Sequence, residues 1–280
     1  MRKICFVAEC NQTVMSLLSK NNVSKRLIKK LKRTKDGITK NGVHIRTVDK
    51  VFKGESITIA LEDEKMLEAS RHLRVPVLYE CDDLIVFDKP YNMPVHPSIK
   101  HQGDTLGNYF SYICSGLTFR PINRLDRDTS GVCVAAKNAF SAKSLQQSLE
   151  KTYYAVVCGK LDNDGTIDVP IGRTDDSIIK REVSKSGQNA VTHYKAVKCS
   201  YDEKYTLVKI NLETGRTHQI RVHFSYIGFP LAGDEMYGGD CSDISRQALH
   251  CKTVRFCHPI TKEIITIDSE LPEDMTSLIK

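Results

Sequence analysis

From residue 84 onward the apolar residues of this chain come in strand-length runs rather than long helical stripes. Leu84-Ile85-Val86-Phe87 and Val132 to Ala136 are continuous, as in strands buried on both faces. Tyr153 to Val157 reads as a third strand, and Tyr205 to Leu212 alternates, with Val208, Ile210 and Leu212 on one side. Two further segments keep helical spacing. One follows Asn138, a capping residue, and puts Ala142, Leu145 and Leu149 on one face. The other follows Thr217, with Ile220, Phe224 and Ile227 inward and Gly228 and Pro230 as the stop. Asp162-Asn163-Asp164-Gly165 is a hairpin turn signal. Strands joined by tight turns, with helices between some of them, predict an α+β domain with a largely antiparallel sheet over 75–280. A chain of 280 residues leaves room in front of it for a second, small domain.

The front of the chain differs in charge. Residues 11–50 hold eleven Lys or Arg against Asp36 and Asp49, a net +9 in a chain whose total is +7, so the other residues carry −2. Such a block points to a polyanion, and RNA or DNA fits better than a membrane surface, because no broad apolar face accompanies it. The block is expected to fold. Val14, Leu17 and Leu18 have helical spacing, and Ser24 can cap a second helix with Leu27, Ile28 and Leu31 as its stripe. Lys25, Arg26, Lys29, Lys30, Lys32 and Arg33 fill the remaining faces. Asn41-Gly42 is a turn, and Val43 to Thr47 and Ser56 to Leu61 read as short strands joined near Gly54. Glu62 to Arg74 reads as the link to the larger domain.

No apolar run approaches the roughly 20 residues of a membrane span. The start, Met1 to Glu9, has too short an apolar run for a signal peptide, so a cytoplasmic protein is expected. The ten cysteines are scattered without a Cys-x-x-Cys pair, which argues against a disulfide framework. His250-Cys251 with Cys257-His258 fits no zinc spacing, and there is no glycine-rich phosphate loop and no His-Glu-x-x-His. Neither a nucleotide cofactor nor a catalytic metal has support in the sequence.

Chemistry concentrates in three places. In Arg124-Leu125-Asp126-Arg127-Asp128-Thr129-Ser130-Gly131 one carboxylate lies between two arginines, which favour its ionised form and suit it to attack a sugar carbon; a surface turn with a local ion pair has the same residues. On the helix after Thr217, His218, Arg221 and Ser225 share a face apart from the apolar one, and Arg221 can pair with a distant carboxylate or hold a phosphate. Tyr153 and Tyr154 are adjacent on a strand and point to opposite faces, so at most one of them faces a cleft, where it could stack on a base.

Taken together these segments resemble the RluA-type family of pseudouridine synthases. Arg124-Leu125-Asp126-x-x-Thr129-Ser130-Gly131 matches its signature. Asp88-Lys89-Pro90, Val95-His96-Pro97, Lys151-x-Tyr153-x-Ala155, Thr214 to His223, Gly228-x-Pro230-Leu231-x-Gly233-Asp234-x-x-Tyr237-Gly238 and Leu249-His250 follow in order between about residues 80 and 275. Ser24 to Leu31, Ile38 to Gly42 and Val51 to Glu55 resemble the RNA-binding domain named after ribosomal protein S-four. The resemblance implies a pseudouridine-synthase domain over 75–280 with a mixed, largely antiparallel sheet and flanking helices, behind a small α/β RNA-binding domain and linker over 1–70. It implies a cofactor-free isomerisation of uridine in structured RNA: the base leaves the ribose through its ring nitrogen, turns, and rejoins through carbon 5. Asp126 takes the place of the catalytic carboxylate, Tyr153 of the tyrosine that packs on the base, and Arg221 of the basic partner of the aspartate. Arg124 matches the arginine that moves into the helix as the base flips out. Lys25, Arg26, Lys29, Lys30 and Arg33 are the expected phosphate contacts of the front domain.

Asn123 stands where most members have histidine. Ribosomal RNA of the large subunit is the expected partner and transfer RNA the alternative, with the protein acting as a monomer. The rivals from other classes are a non-catalytic RNA-binding or ribosome-assembly protein of the same fold and an RNA N-glycosidase using Asp126, which would release free uracil.

Overall fold

The computed structural model describes residues 2–63, 66–175 and 177–280. Glu64 and Lys65, inside the expected linker, lie outside the described residues, as do Met1 and Asp176.

The front of the chain runs β1 (Arg2–Val7), β2 (Gln12–Thr13), α1 (Val14–Lys20), α2 (Lys25–Leu31), β3 (Ile38–Lys40), β4 (Val43–His44), β5 (Lys50–Val51) and β6 (Ser56–Leu61). Both helices start where a hydroxyl caps them. Thr13 Oγ1 accepts from the Ser16 amide and Ser24 Oγ from the Leu27 amide. Their buried stripes, Val14, Leu17 and Leu18 and then Leu27, Ile28 and Leu31, close on the sheet residues Ile57 and Ile59. The sheet order is β1-β6-β3-β4, all antiparallel. Arg2–Val7, assigned no element from the sequence, is an edge strand paired with β6 over six residues, because Ile4 and Phe6 alternate inward. One expectation is corrected. Val43 to Thr47 shrinks to two residues, and β6 pairs with β1 and β3 rather than with it.

The larger part runs β7 (Val77–Glu80), β8 (Leu84–Lys89), α3 (Leu106–Ile113), β9 (Arg120–Pro121), β10 (Ser130–Ala136), α4 (Ala139–Ser148), β11 (Glu150–Cys158), β12 (Gly165–Asp168), β13 (Ile171–Arg173), β14 (Arg181–Val183), β15 (Val191–Cys199), β16 (Tyr205–Leu212), α5 (Gln219–Tyr226), β17 (Leu249–Cys257), β18 (Ile264–Asp268) and α6 (Glu273–Thr276). Its main sheet has the order β12-β15-β16-β11-β17-β10-β8-β7, with β18 beside β17 and β9 beside β10. Every pairing is antiparallel except β10 with β17. The fold is therefore α+β with a mixed, largely antiparallel sheet. The Asp162–Gly165 turn does not close a hairpin of neighbours: it carries the chain from β11 to β12, with β16 and β15 between them.

Gly131 sits at the parallel contact, opposite Cys251, with φ +107°. A Cβ there would run into the Cys251 carbonyl, so only glycine lets β10 and β17 meet. The two parts of the chain are locked together. Phe140, at the start of α4, enters the front core with its ring 5.6 Å from Phe6. Arg2 reaches the buried Asp83 at 2.9 Å, and Arg120 bonds Asp63 at 3.0 Å.

Candidate active site

A cleft of about 720 Å³ opens over the middle of the large sheet. Its lining includes Asp126 from the loop before β10, Tyr153 from β11, Arg221 from α5 and Leu249 from β17, so four segments far apart in sequence converge. That volume falls within the usual range for small-ligand sites, roughly 300–1,000 Å³.

The Asp126 loop is held by its backbone. Asn123 lies buried beside β10, donating through Nδ2 to the Val132 carbonyl (2.9 Å) and accepting at Oδ1 from the Val134 amide (2.8 Å). Behind it the fully buried Lys89 Nζ donates to the carbonyls of Pro90 (2.8 Å), Met93 (2.8 Å) and Arg127 (3.1 Å). Burial pushes the Lys89 pKa down to about 8, which leaves the ammonium mostly charged at neutral pH. Arg246 donates to the Asp128 carbonyl (3.3 Å) while its fork grips Asp274. Lys89→Met should therefore lower stability by about 1–3 kcal/mol for each buried carbonyl left without a donor. It should also slow turnover, and thermal melts set beside rates would show both losses.

Asp126 does not pair with its neighbours in sequence, since Arg127 turns to Asp128. Its partner is Arg221, whose Nη1 lies 3.3 Å from Asp126 Oδ2. The rest of the Arg221 fork belongs to Asp234, through Nε (2.6 Å) and Nη2 (2.8 Å). Arg221 and Asp234 are 7% and 1% exposed and Asp126 is 30% exposed, so one buried bidentate pair extends a third N–H to a wetter carboxylate. Burial works against the Arg221 charge, and Asp234 with Asp126 more than offsets it. The guanidinium also lies over the Tyr237 ring, 4.9 Å from its centroid.

Tyr153 is the buried member of the tyrosine pair and lines the cleft, whereas Tyr154 does not. Burial first, then Cys251 and the Asp126 charge, hold its hydroxyl well above the ordinary tyrosine range. It stays a neutral aromatic surface beside an anion. Arg124 is exposed at the rim of the cleft.

Helix α5 starts one residue later than Thr217 would cap it. His218 takes the N-cap position in the left-handed region, φ +57°, without a side-chain cap. Gln219 closes the turn instead, its Oε1 accepting from the Arg216 amide and the Thr214 hydroxyl, each at 2.9 Å. Arg221 is consequently inside the protein rather than on a polar outer face.

On the front part, Lys25, Arg26, Lys29 and Arg33 are exposed. Lys30 differs from that expectation: its Nζ donates to the Glu62 carbonyl at 2.8 Å, which ties α2 to the end of β6. Lys89, Asp234, His218, Tyr237 and Arg246 had no role assigned from the sequence. Each lies in or beside a polar motif already noted, but their partners are 13 or more residues away or backbone carbonyls, which spacing does not reveal.

The His250-Cys251 segment serves the same corner. His250 Nδ1 meets Ser130 Oγ at 2.9 Å, and burial pushes the His250 pKa down to about 4. An unfolded histidine takes up its proton near 6.5, so the unfolded state binds more protons between about 4 and 6.5. Stability should fall as pH drops through that window, and His250→Gln should flatten the fall in denaturant titrations at pH 7 and pH 5.

A family model described as RNA pseudouridylate synthase matches residues 83–226. The uncharacterized RNA pseudouridine synthase YjbO of Bacillus subtilis (strain 168) is 40% identical over 281 residues, covering 96% of this chain and 98% of that protein. The ribosomal large subunit pseudouridine synthase D of Vibrio cholerae is 37% identical over 254 residues, covering 82% of this chain and 78% of that one. Among solved structures, human RNA pseudouridylate synthase domain containing 1 is similar with a TM-score of 0.62 at 25% identity, covering 76% of this chain and 89% of that one.

Proposed function

The chain belongs to the RNA pseudouridine synthases of the RluA type, isomerases that convert uridine in RNA to pseudouridine, and from that premise we propose that its substrate is ribosomal RNA of the large subunit and that Asp126 carries the reaction. The observation behind the second part is the third prong of Arg221 on Asp126, inside a cleft also lined by Tyr153. The target uridine leaves its stack, at a cost of a few kcal/mol, and enters the cleft. Tyr153 packs on the base and Arg124 fills the space it vacates. The N-glycosidic bond breaks, C5 bonds to the anomeric carbon, C5 loses its proton and the ring nitrogen gains one, so mass and chain are unchanged. Asp126 is either the attacking group, at sugar or base, or the base that removes a ribose proton.

A large-subunit target fits the Vibrio relative, a ribosomal large subunit pseudouridine synthase, and the basic front part, which serves as an S-four-like RNA-binding domain of a cytoplasmic, monomeric enzyme. Pseudouridine maps of ribosomal and transfer RNA, from cells with and without the gene, test it. A missing large-subunit site is the expected result, and a missing transfer RNA site would redirect the assignment. Phosphate contacts position the enzyme without reading sequence. Replacing Lys25, Arg26, Lys29 and Arg33 by Gln should flatten the plot of log affinity against log salt by up to about 3.6, at roughly 0.7–0.9 per lost contact. An unchanged slope would make these side chains a solvated face.

A further inference from the structure

The role of Asp126 leaves open which of its oxygens reacts and what orients it; the inference drawn here rests on that role and deepens it. We infer that His218 is a positioning residue: its imidazole, locked as the Nε2–H tautomer by Tyr237 and the Arg181 backbone, faces Asp126 Oδ2 and leaves Oδ1 to meet the nucleotide. The chain of contacts fixes each proton. The Arg181 amide can only donate, and it lies 3.0 Å from Tyr237 Oη. Burial raises the Tyr237 pKa, so the hydroxyl keeps its own hydrogen. That hydrogen goes to His218 Nδ1, 2.9 Å away. Nδ1 is then an acceptor and the imidazole proton sits on Nε2. The opposite tautomer would leave the hydroxyl hydrogen unused and turn the Nε2 lone pair toward a carboxylate.

His218 Nε2 is 3.8 Å from Asp126 Oδ2, and Arg221 Nη1 is 3.3 Å from the same oxygen. Among the described residues no hydrogen bond reaches Oδ1. A 3.8 Å contact is too long for a hydrogen bond, but catalytic contacts often tighten only when substrate excludes water. The charged groups around His218 are Asp126, Arg221, Asp234 and Arg181, with Tyr237 on its far nitrogen. Burial leads in lowering its pKa, Arg221 and Arg181 add to this, and the two aspartates oppose it. The imidazole is therefore a neutral donor near pH 7. Its backbone is left-handed, a conformation that non-glycine residues keep where the surroundings over-determine it.

The test uses the full-length protein with ¹⁵N-labelled histidine, the His218 signals being assigned by their loss in His218→Asn. Wild type should show a protonated Nε2 and an unprotonated Nδ1 at neutral pH; a protonated Nδ1 overturns the inference whether or not the protein makes pseudouridine. Tyr237→Phe keeps the ring under Arg221 and removes only the hydroxyl. The imidazole then loses the donor that opposed its protonation, so its own titration, followed by the ¹⁵N signals, should move to higher pH. The saturating rate should fall about 10-fold with RNA affinity unchanged. A normal rate, or a slower one with the imidazole titration unmoved, would reduce Tyr237 and His218 to packing and overturn the inference. Wild-type protein that forms no pseudouridine on any RNA would sink the functional reading instead, and the ¹⁵N spectrum would still decide the tautomer.

Discussion

Asp126→Asn should leave a folded protein that binds RNA and makes no pseudouridine. The amide keeps the shape of the side chain and loses the ionised oxygen, which each of the routes open to Asp126 requires. Turnover in a tritium-release assay should drop below roughly 10⁻³ of wild type, the scale of losing a catalytic centre rather than one supporting contact. The fold should tolerate the change. Asp126 is 30% exposed and takes only the third prong of Arg221, whose main pair is with Asp234. The stability cost should resemble that of a partly exposed ion pair, about 0–1 kcal/mol. RNA affinity should stay within a few-fold. Substantial turnover by the purified variant would remove Asp126 from the chemistry. Free uracil released by wild type would point to a glycosidase.

That separation of chemistry from fold depends on contacts only partly legible in the sequence. The strands were legible, because Leu84 to Phe87, Val132 to Ala136 and Tyr205 to Leu212 carry local signals, and each is a strand of the large sheet. Their neighbours were not. The parallel contact of β10 with β17 joins residues about 120 apart, and its one mark in the sequence is Gly131, whose need appears only once Cys251 lies against it. β1 was not assigned because a short alternating run beside two positive charges carries a weak strand signal. The tyrosine pair was readable in principle, since adjacent strand residues face opposite ways, but nothing local said that Tyr153 is the one facing the cleft. The two arginines flanking Asp126 gave the right expectation, positive charge beside the carboxylate, from the wrong residues. Asn123 gains a physical role beside its departure from the family pattern. Its amide satisfies a carbonyl and an N–H of β10 at once, which fixes the start of the loop.

Arg221→Met should damage both rate and fold, and the structure says how to pull the two apart. Removing the guanidinium strands Asp234, which is 1% exposed and otherwise held by both ends of the Arg221 fork. Breaking a buried pair by deleting one partner costs about 3–5 kcal/mol, because the remaining charge is left uncompensated. The same substitution takes the cation from Asp126, so turnover should fall strongly even at temperatures where the variant is folded. Arg221→Lys should recover part of the stability and less of the rate, since a point charge cannot hold Asp234 through two nitrogens and still reach Asp126. The decisive comparison is Arg221→Met with Asp234→Asn. The double variant no longer buries an orphan anion and should melt well above Arg221→Met, while Asp126 remains without its cation and the rate stays low. If Arg221 instead clamps RNA phosphate, both Met variants should lose affinity with a shallower salt slope and turn over normally once bound. Single-turnover rates at saturating enzyme, filter-binding constants and thermal melts on the same four proteins distinguish these outcomes. A double variant that regains stability and rate together would mean that Arg221 serves the fold alone, with Asp126 needing no partner.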